Sequence, residues 1–362
     1  MMKALPRLLL AIAVCFLVTD GAQARDPSVT FINPGAERSG DVWELMPRFM
    51  KAAADQLGLR LEVVYANRDR IRMVELAHQI AARPVPPDYV VLVNEKERAP
   101  EMMEAFRGTA SRLFLIHNDL SADQRRLLGN ERGALANWIG TITADDGEII
   151  RALMGGLYRK TTGEPRIIGI GGDVATPVSA LREAAMRDFV AGSGRGRVLQ
   201  VVPGNWERDD ARRKTASLLA RYPDANMVWA ANDSMALGAF DAVADGGRRA
   251  AVRVGGMGAF PQALDSVATG GLAVTSGGNL LTGAWCMVMI RDYDDGVDFA
   301  AAGGARQTRG TILLAEDERS ATLFRGLIAE PSRIDFRRFL RSADPRKAGY
   351  DFSIGTVTAA AR

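Results

Sequence analysis

Short apolar stretches of strand length alternate with helical periods along nearly the whole chain, and no other feature restricts its fold as tightly. VTFIN (29–33), LRLEVVYA (59–66), YVVLVN (89–94) and RLFLIHN (112–118) read as buried strands. Helical patterns over 43–58, 71–82 and 100–107 fall between them, the first stopping at glycine. WIGTITADD (138–146) leads into a helix over 147–159, and the alternation then restarts. Strands RIIGIGG (166–172), RVLQVVPGN (197–205), MVWAAND (227–233), AAVRVGGMG (250–258) and LAVTSGGN (272–279) are interleaved with helices over 178–191, 209–221 and 234–244. Such a pattern predicts parallel sheets covered by helices on both faces. Two consecutive sets predict two α/β lobes, since 362 residues exceed one ordinary core. The break is expected near 141–145.

The N-terminus carries a different signal. Lys3 and Arg7 precede the run LLLAIAVCFLV, and Ala22-Gln23-Ala24 supplies small residues for cleavage. Residues 1–24 therefore read as a secretory signal peptide, which places the mature chain in the periplasm. The apolar run has 11 residues, against the ~20 a membrane span requires. Cys15 follows Val14 inside that run, where a lipoprotein signal has a small residue. The cleaved chain keeps only Cys286, so no intramolecular disulfide is expected. Within WCMVMI, that cysteine reads as a buried small hydrophobe.

Composition and motifs exclude several function classes. The formal charge is +3 with both signs mixed along the chain, so no basic face for nucleic acid is expected. GIGGDV (169–174) and GGMG (255–258) resemble dinucleotide loops, but Val174 and Pro261 occupy the third glycine position. No GxxxxGK loop and no GxSxG elbow occur. His78 and His117 are the only histidines, and His78 sits in a helical pattern, so neither metal nor cofactor is expected. The pairs Asp145-Asp146 and Asp209-Asp210 suit helix starts. An enzyme is not expected.

A binding site is better supported. In parallel sheets, ligands lie beyond the carboxyl ends of the strands. Here those ends carry Asn33, Asn94, His117-Asn118, Asp145-Asp146, Asp173, Asn205 and Asn232-Asp233. Each alone could equally be a helix cap; their recurrence suggests a lined pocket. Arg182, Asn205, Trp206 and Asn232 stand where strands give way to helices, and Trp43 opens the first helix. Planar polar groups that bond paired hydroxyls, together with aromatic faces, suit sugar recognition, although either tryptophan could instead pack in a core.

WAANDSMALGAFDAVADGG (229–247) resembles the AxNDxMALGA segment of type I periplasmic sugar-binding proteins, the ribose and galactose binders. FINPG, TADD, SALREAAMRDF and VVPGNWERDDA are similar to further landmarks of that family, in the same order, over most of the mature chain. The resemblance implies two Rossmann-like lobes joined by three crossings. It puts 25–141 with about 278–310 in the first lobe, and 142–277 with about 311–362 in the second. It implies ligand contacts at Asn33, Trp43, Arg182, Trp206 and Asn232, with Asp145 as a crossover residue. Three places depart: Met257 stands where an aspartate is usual, Asn279 lies near the place of a glutamine, and His117-Asn118 replaces an Asp-Arg pair. All ten are expected site residues. Asn232 is expected to turn its amide into the cleft, and Asp233 to cap the helix.

The function implied is a monomeric periplasmic receptor that closes on a sugar or polyol and delivers it to an ABC permease. The alternative is a subunit that signals occupancy to a membrane sensor kinase or cyclase. A repressor with the same core would need an N-terminal helix-turn-helix where this chain has its signal peptide. The C-terminal segment RIDFRRFLRSADPRKAGYDF (333–352) exceeds the minimal fold, and reads as a packing strap or a partner contact.

Overall fold

A computed structural model describes residues 26–361 apart from position 345, so the expected signal peptide lies outside the described residues. The first half runs β1 (Ser28–Asn33), α1 (Val42–Leu57), β2 (Arg60–Tyr65), α2 (Arg70–Ala81), β3 (Tyr89–Val93), α3 (Ala99–Ala105), β4 (Arg112–His117), α4 (Ala122–Leu128) and β5 (Trp138–Ala144). The second runs α5 (Asp146–Lys160), β6 (Arg166–Gly171), α6 (Pro177–Gly192), β7 (Arg197–Pro203), α7 (Arg208–Arg221), β8 (Met227–Ala230), α8 (Asp233–Asp245), β9 (Arg253–Gly258), α9 (Pro261–Ala268) and β10 (Val274–Gly277). After these come α10 (Thr282–Asp294), β11 (Arg306–Arg309), β12 (Leu313–Ala315), α11 (Glu318–Ala329) and α12 (Ile354–Ala360).

Two six-stranded sheets result, ordered β11-β5-β4-β3-β1-β2 and β12-β10-β9-β8-β6-β7. All strand pairs are parallel except β12, which runs antiparallel along the edge of β10. β3 shows why continuous apolar runs were readable: all five residues of YVVLV are buried, as a strand covered on both faces requires. α1 is bounded by its own chemistry. Asp41 caps its N-terminus, and Gly58 closes it in the left-handed region at φ +66°.

The chain passes between the sheets after β5, after β10, and between β11 and β12. Since β5 continues to Ala144, the first passage falls at its end and not inside it at 141. At the second passage, Gly278 has φ +124° and packs so closely on the Thr311 carbonyl that a Cβ would overlap it. The backbone N–H of Asp145 donates to the Arg309 carbonyl at 3.2 Å, tying the first passage to the third. The three connections therefore lie together at the carboxyl ends of the strands, where the two sheets face one another.

The tail departs from expectation. The resemblance puts the residues beyond α11 in the second lobe, but they turn back onto α1 and α10 of the first. Gln56 of α1 donates to the Ile334 carbonyl and accepts from the Phe336 N–H, each at 2.8 Å. Buried Asp292 of α10 accepts from the N–H groups of Arg341 and Ser342 and from the Tyr350 hydroxyl. Phe352 stacks on Trp285 at 4.4 Å. Apolar burial drives this docking, because Trp285 would otherwise expose a large ring beside the hinge.

Candidate functional site

Both lobes and the hinge contribute to one cavity in the cleft, with about 520 Å³ of space, part of it continuous with solvent at the mouth. Trp43, His117 and Asn118 line it from the first lobe, Arg182, Trp206, Asn232 and Met257 from the second, and Asn279 from the second crossing.

On the first-lobe side, the first turn of α1 delivers Trp43. Asn33 is spent on holding the β1–α1 loop: its Nδ2 donates to the Trp43 carbonyl at 2.7 Å, and its Oδ1 accepts from the Gly35 N–H at 2.9 Å. Asn33 is therefore a support and not a lining residue, contrary to the expected contact. His117 ends β4 in the left-handed region at φ +67°, and its ring meets Trp43 edge-on at 5.1 Å. Burial pulls its pKa down to about 4, against the opposing charge of Asp146, so the imidazole is neutral. Asn118 donates to Glu95 Oε2 at 3.2 Å.

On the second-lobe side, two consecutive residues with positive φ, Asn205 at +54° and Trp206 at +65°, turn the indole into the cleft. The indole lies flush on Gly172, where a Cβ would overlap the ring. Arg182 stacks over the same indole at 5.7 Å. Its Nε donates to Asp146 Oδ1 at 2.8 Å, and its Nη1 to the Ala231 carbonyl at 2.9 Å. The arginine is thus pre-positioned and its charge is already balanced.

Asn232 borders the cavity as expected, but the capping role expected of Asp233 also falls to Asn232. Asn232 is the cap of α8, its Oδ1 accepting from the Met235 N–H at 2.8 Å, and it borders the cavity with its amide nitrogen 3.4 Å from the Trp206 carbonyl. Asp233 is fully buried and accepts from Thr275 Oγ1 at 2.7 Å and from the Phe260 N–H at 2.8 Å. It fixes the loop that brings Phe260 to the cavity wall. Burial raises its pKa to about 7, against the opposing hydrogen bonds. Asp145 caps α5 through the Glu148 N–H at 2.9 Å and lies in the crevice alongside, outside the cavity. Its neighbour Asp146 is the one that reaches the site, through Arg182.

Four buried polar atoms around this cavity have no hydrogen-bond partner: His117 Nδ1, Asn118 Oδ1, Thr176 Oγ1 and Asn279 Oδ1. Unpartnered buried groups are costly, by about 1–3 kcal/mol each. Four around one space mark it as built for a polar occupant. Sequence reading passed over Glu95, Thr176, Arg68 and Phe260, all of which line the cavity. Thr176 stands one residue before the proline that opens α6, a place where a cap was the natural reading. No group of three His, Cys, Asp or Glu able to hold a metal ion occurs among the described residues.

Comparison with known proteins bears on the fold and family. Residues 136–294 match the family described as periplasmic binding protein domain. A periplasmic sugar-binding protein from Pseudomonas fluorescens superposes with a TM-score of 0.81 and 31% identity, over 91% of this chain and 99% of that one. A D-ribose/D-allose-binding protein of Pseudomonas aeruginosa is 36% identical over 25% of this chain and 28% of its own length. The ribose import binding protein of Salmonella typhimurium is 25% identical over 76% of this chain and 86% of its own. The match spans about a third of the first curated relatives. These relatives are binding proteins and not enzymes. With its two six-stranded sheets, its hinge at the strand ends and a relative matched along its whole length, the chain belongs to the type I periplasmic binding proteins.

Proposed function

We propose that this chain is a periplasmic receptor that closes its lobes on one small polyhydroxylated solute, a sugar or sugar-like polyol, and delivers it to an ABC permease. The observation that carries the reading is the set of four unpartnered polar atoms from both lobes and the hinge, gathered between two tryptophans. Ring hydroxyls supply donors and acceptors to such atoms, while Trp43 and Trp206 offer faces to the C–H surface. Closure follows because a solute that touches both lobes favours the conformation in which both contacts are made. Delivery to a permease rests on the relatives, one of which is named for ribose import.

Thermal shift of the mature chain against pentoses, hexoses, polyols and their amino-substituted forms tests this. A solute that binds the folded state raises the melting temperature by mass action, by about 3 kcal/mol of added stability at a hundredfold excess over Kd. The expected result is a shift with at least one panel member, lost in Arg182→Ala. A panel without any shift would remove the sugar-receptor reading.

A further inference from the structure

The charged groups around the cavity do not balance. Asp41 is paired with Arg68 and Arg182 with Asp146. Glu95, only 8% exposed, lines the same cavity and has no cation within ion-pair distance among the described residues. Its one side-chain bond is from the neutral amide of Asn118, at 3.2 Å. That bond commits the Asn118 nitrogen and leaves Asn118 Oδ1 as an unpartnered acceptor, as is Asn279 Oδ1.

We propose that Glu95 is the anionic pole of an amine-recognition subsite, so that the solute taken by this cleft is an amino-substituted polyol, such as an amino sugar. The proposal rests on the receptor reading above and narrows its substrate class. A buried carboxylate without a counter-charge is costly, and a compact ammonium with three donors is the group that relieves it. The two amide oxygens are acceptors suited to the remaining N–H and O–H groups. Both arginines are engaged by carboxylates, so no cation is left for a solute bearing a carboxylate or phosphate. Burial also pushes the Glu95 carboxyl above its usual range, against the opposing but more distant charges of Arg68 and Lys96. A neutral sugar would satisfy the acceptors but leave the Glu95 charge uncompensated.

The test uses a polar metabolite extract split on a cation exchanger into a retained, basic fraction and an unretained fraction. Each is added to the mature wild-type chain and to Glu95→Gln, with melting temperatures read against each protein's own baseline. Glu95→Gln keeps an acceptor for Asn118 and removes only the charge; Glu95→Asp, which retracts the carboxylate, serves if the glutamine variant fails to fold. The expected result is a rise of several degrees with the retained fraction, lost in Glu95→Gln and reduced in Glu95→Asp. A rise confined to the unretained fraction, or one that survives in Glu95→Gln, overturns the proposal and leaves the receptor reading standing. If neither fraction shifts the wild type, the receptor reading falls and this proposal falls with it.

Discussion

Two buried titratable groups flank the cleft with opposite pH signatures, and their near-cancellation can be unmasked. Asp233 has its pKa raised by burial from 3.8 to about 7. An acid whose folded pKa is raised contributes stability that is fully present below 3.8 and is lost as pH rises through about 7. At about 1.4 kcal/mol per pH unit, the loss amounts to roughly 4 kcal/mol. His117 has its pKa lowered by burial from 6.5 to about 4. Its contribution is present above 6.5 and is lost as pH falls through about 4, a change of roughly 3 kcal/mol in the opposite direction. In the wild type the two therefore offset one another over most of the range from pH 4 to 6.5. Urea unfolding, followed by tryptophan fluorescence from pH 4.5 to 7.5, separates them through Asp233→Asn and His117→Asn. Relative to wild type, the stability of Asp233→Asn should climb over this pH window by up to about 3 kcal/mol. That of His117→Asn should fall by up to about 3 kcal/mol. Constant packing penalties shift each curve without tilting it. If both difference curves are flat, the assignment of these two pKa shifts to burial is wrong.

Two further outcomes probe the hinge and the tail. Gly278→Ala forces a Cβ into the Thr311 carbonyl at φ +124°; a cost of about 3 kcal/mol or more is expected, read by calorimetry as a melting temperature lower by roughly 4 °C or more. Asp292→Ala strips the acceptor from Arg341 N–H, Ser342 N–H and the Tyr350 hydroxyl. The expected loss is about 4 kcal/mol, with faster proteolysis within 333–352 and a red shift of Trp285 emission as the Phe352 stack opens.

The alternation of strands and helices was legible because the central strands are buried on both faces and seven of the twelve described helices carry a side-chain N-cap. What sequence could not show depends on contacts far along the chain. Asn232 and Asp233 are both good caps. Which of them is buried is decided by the Phe260 N–H, 27 positions away. Asn33 reads as a strand-end amide, yet the turn at Gly35 consumes it; the Asn-Pro-Gly run is the signal that could have revealed this. Glu95 sits in NEKERAP, a run that reads as a solvated charged loop, and it becomes buried only because β4 delivers Asn118 beside it. β11 and β12 escaped notice because they have four and three residues, and RQTR carries no apolar period. The tail aromatics follow no helical spacing; their target, Trp285, lies more than fifty residues before Phe336 and Phe352 on average, so nothing local marks the docking.

The central claim is that one solute is held between the lobes by both of them. Isothermal titration of the solute that shifts the melting temperature most, against wild type, Trp43→Ala and Trp206→Ala, tests it directly. The account predicts one site per chain and an affinity loss of at least about tenfold in each variant, because each ring faces the same cavity from a different lobe. Unchanged affinity in either variant would place the solute on a single lobe and contradict the account.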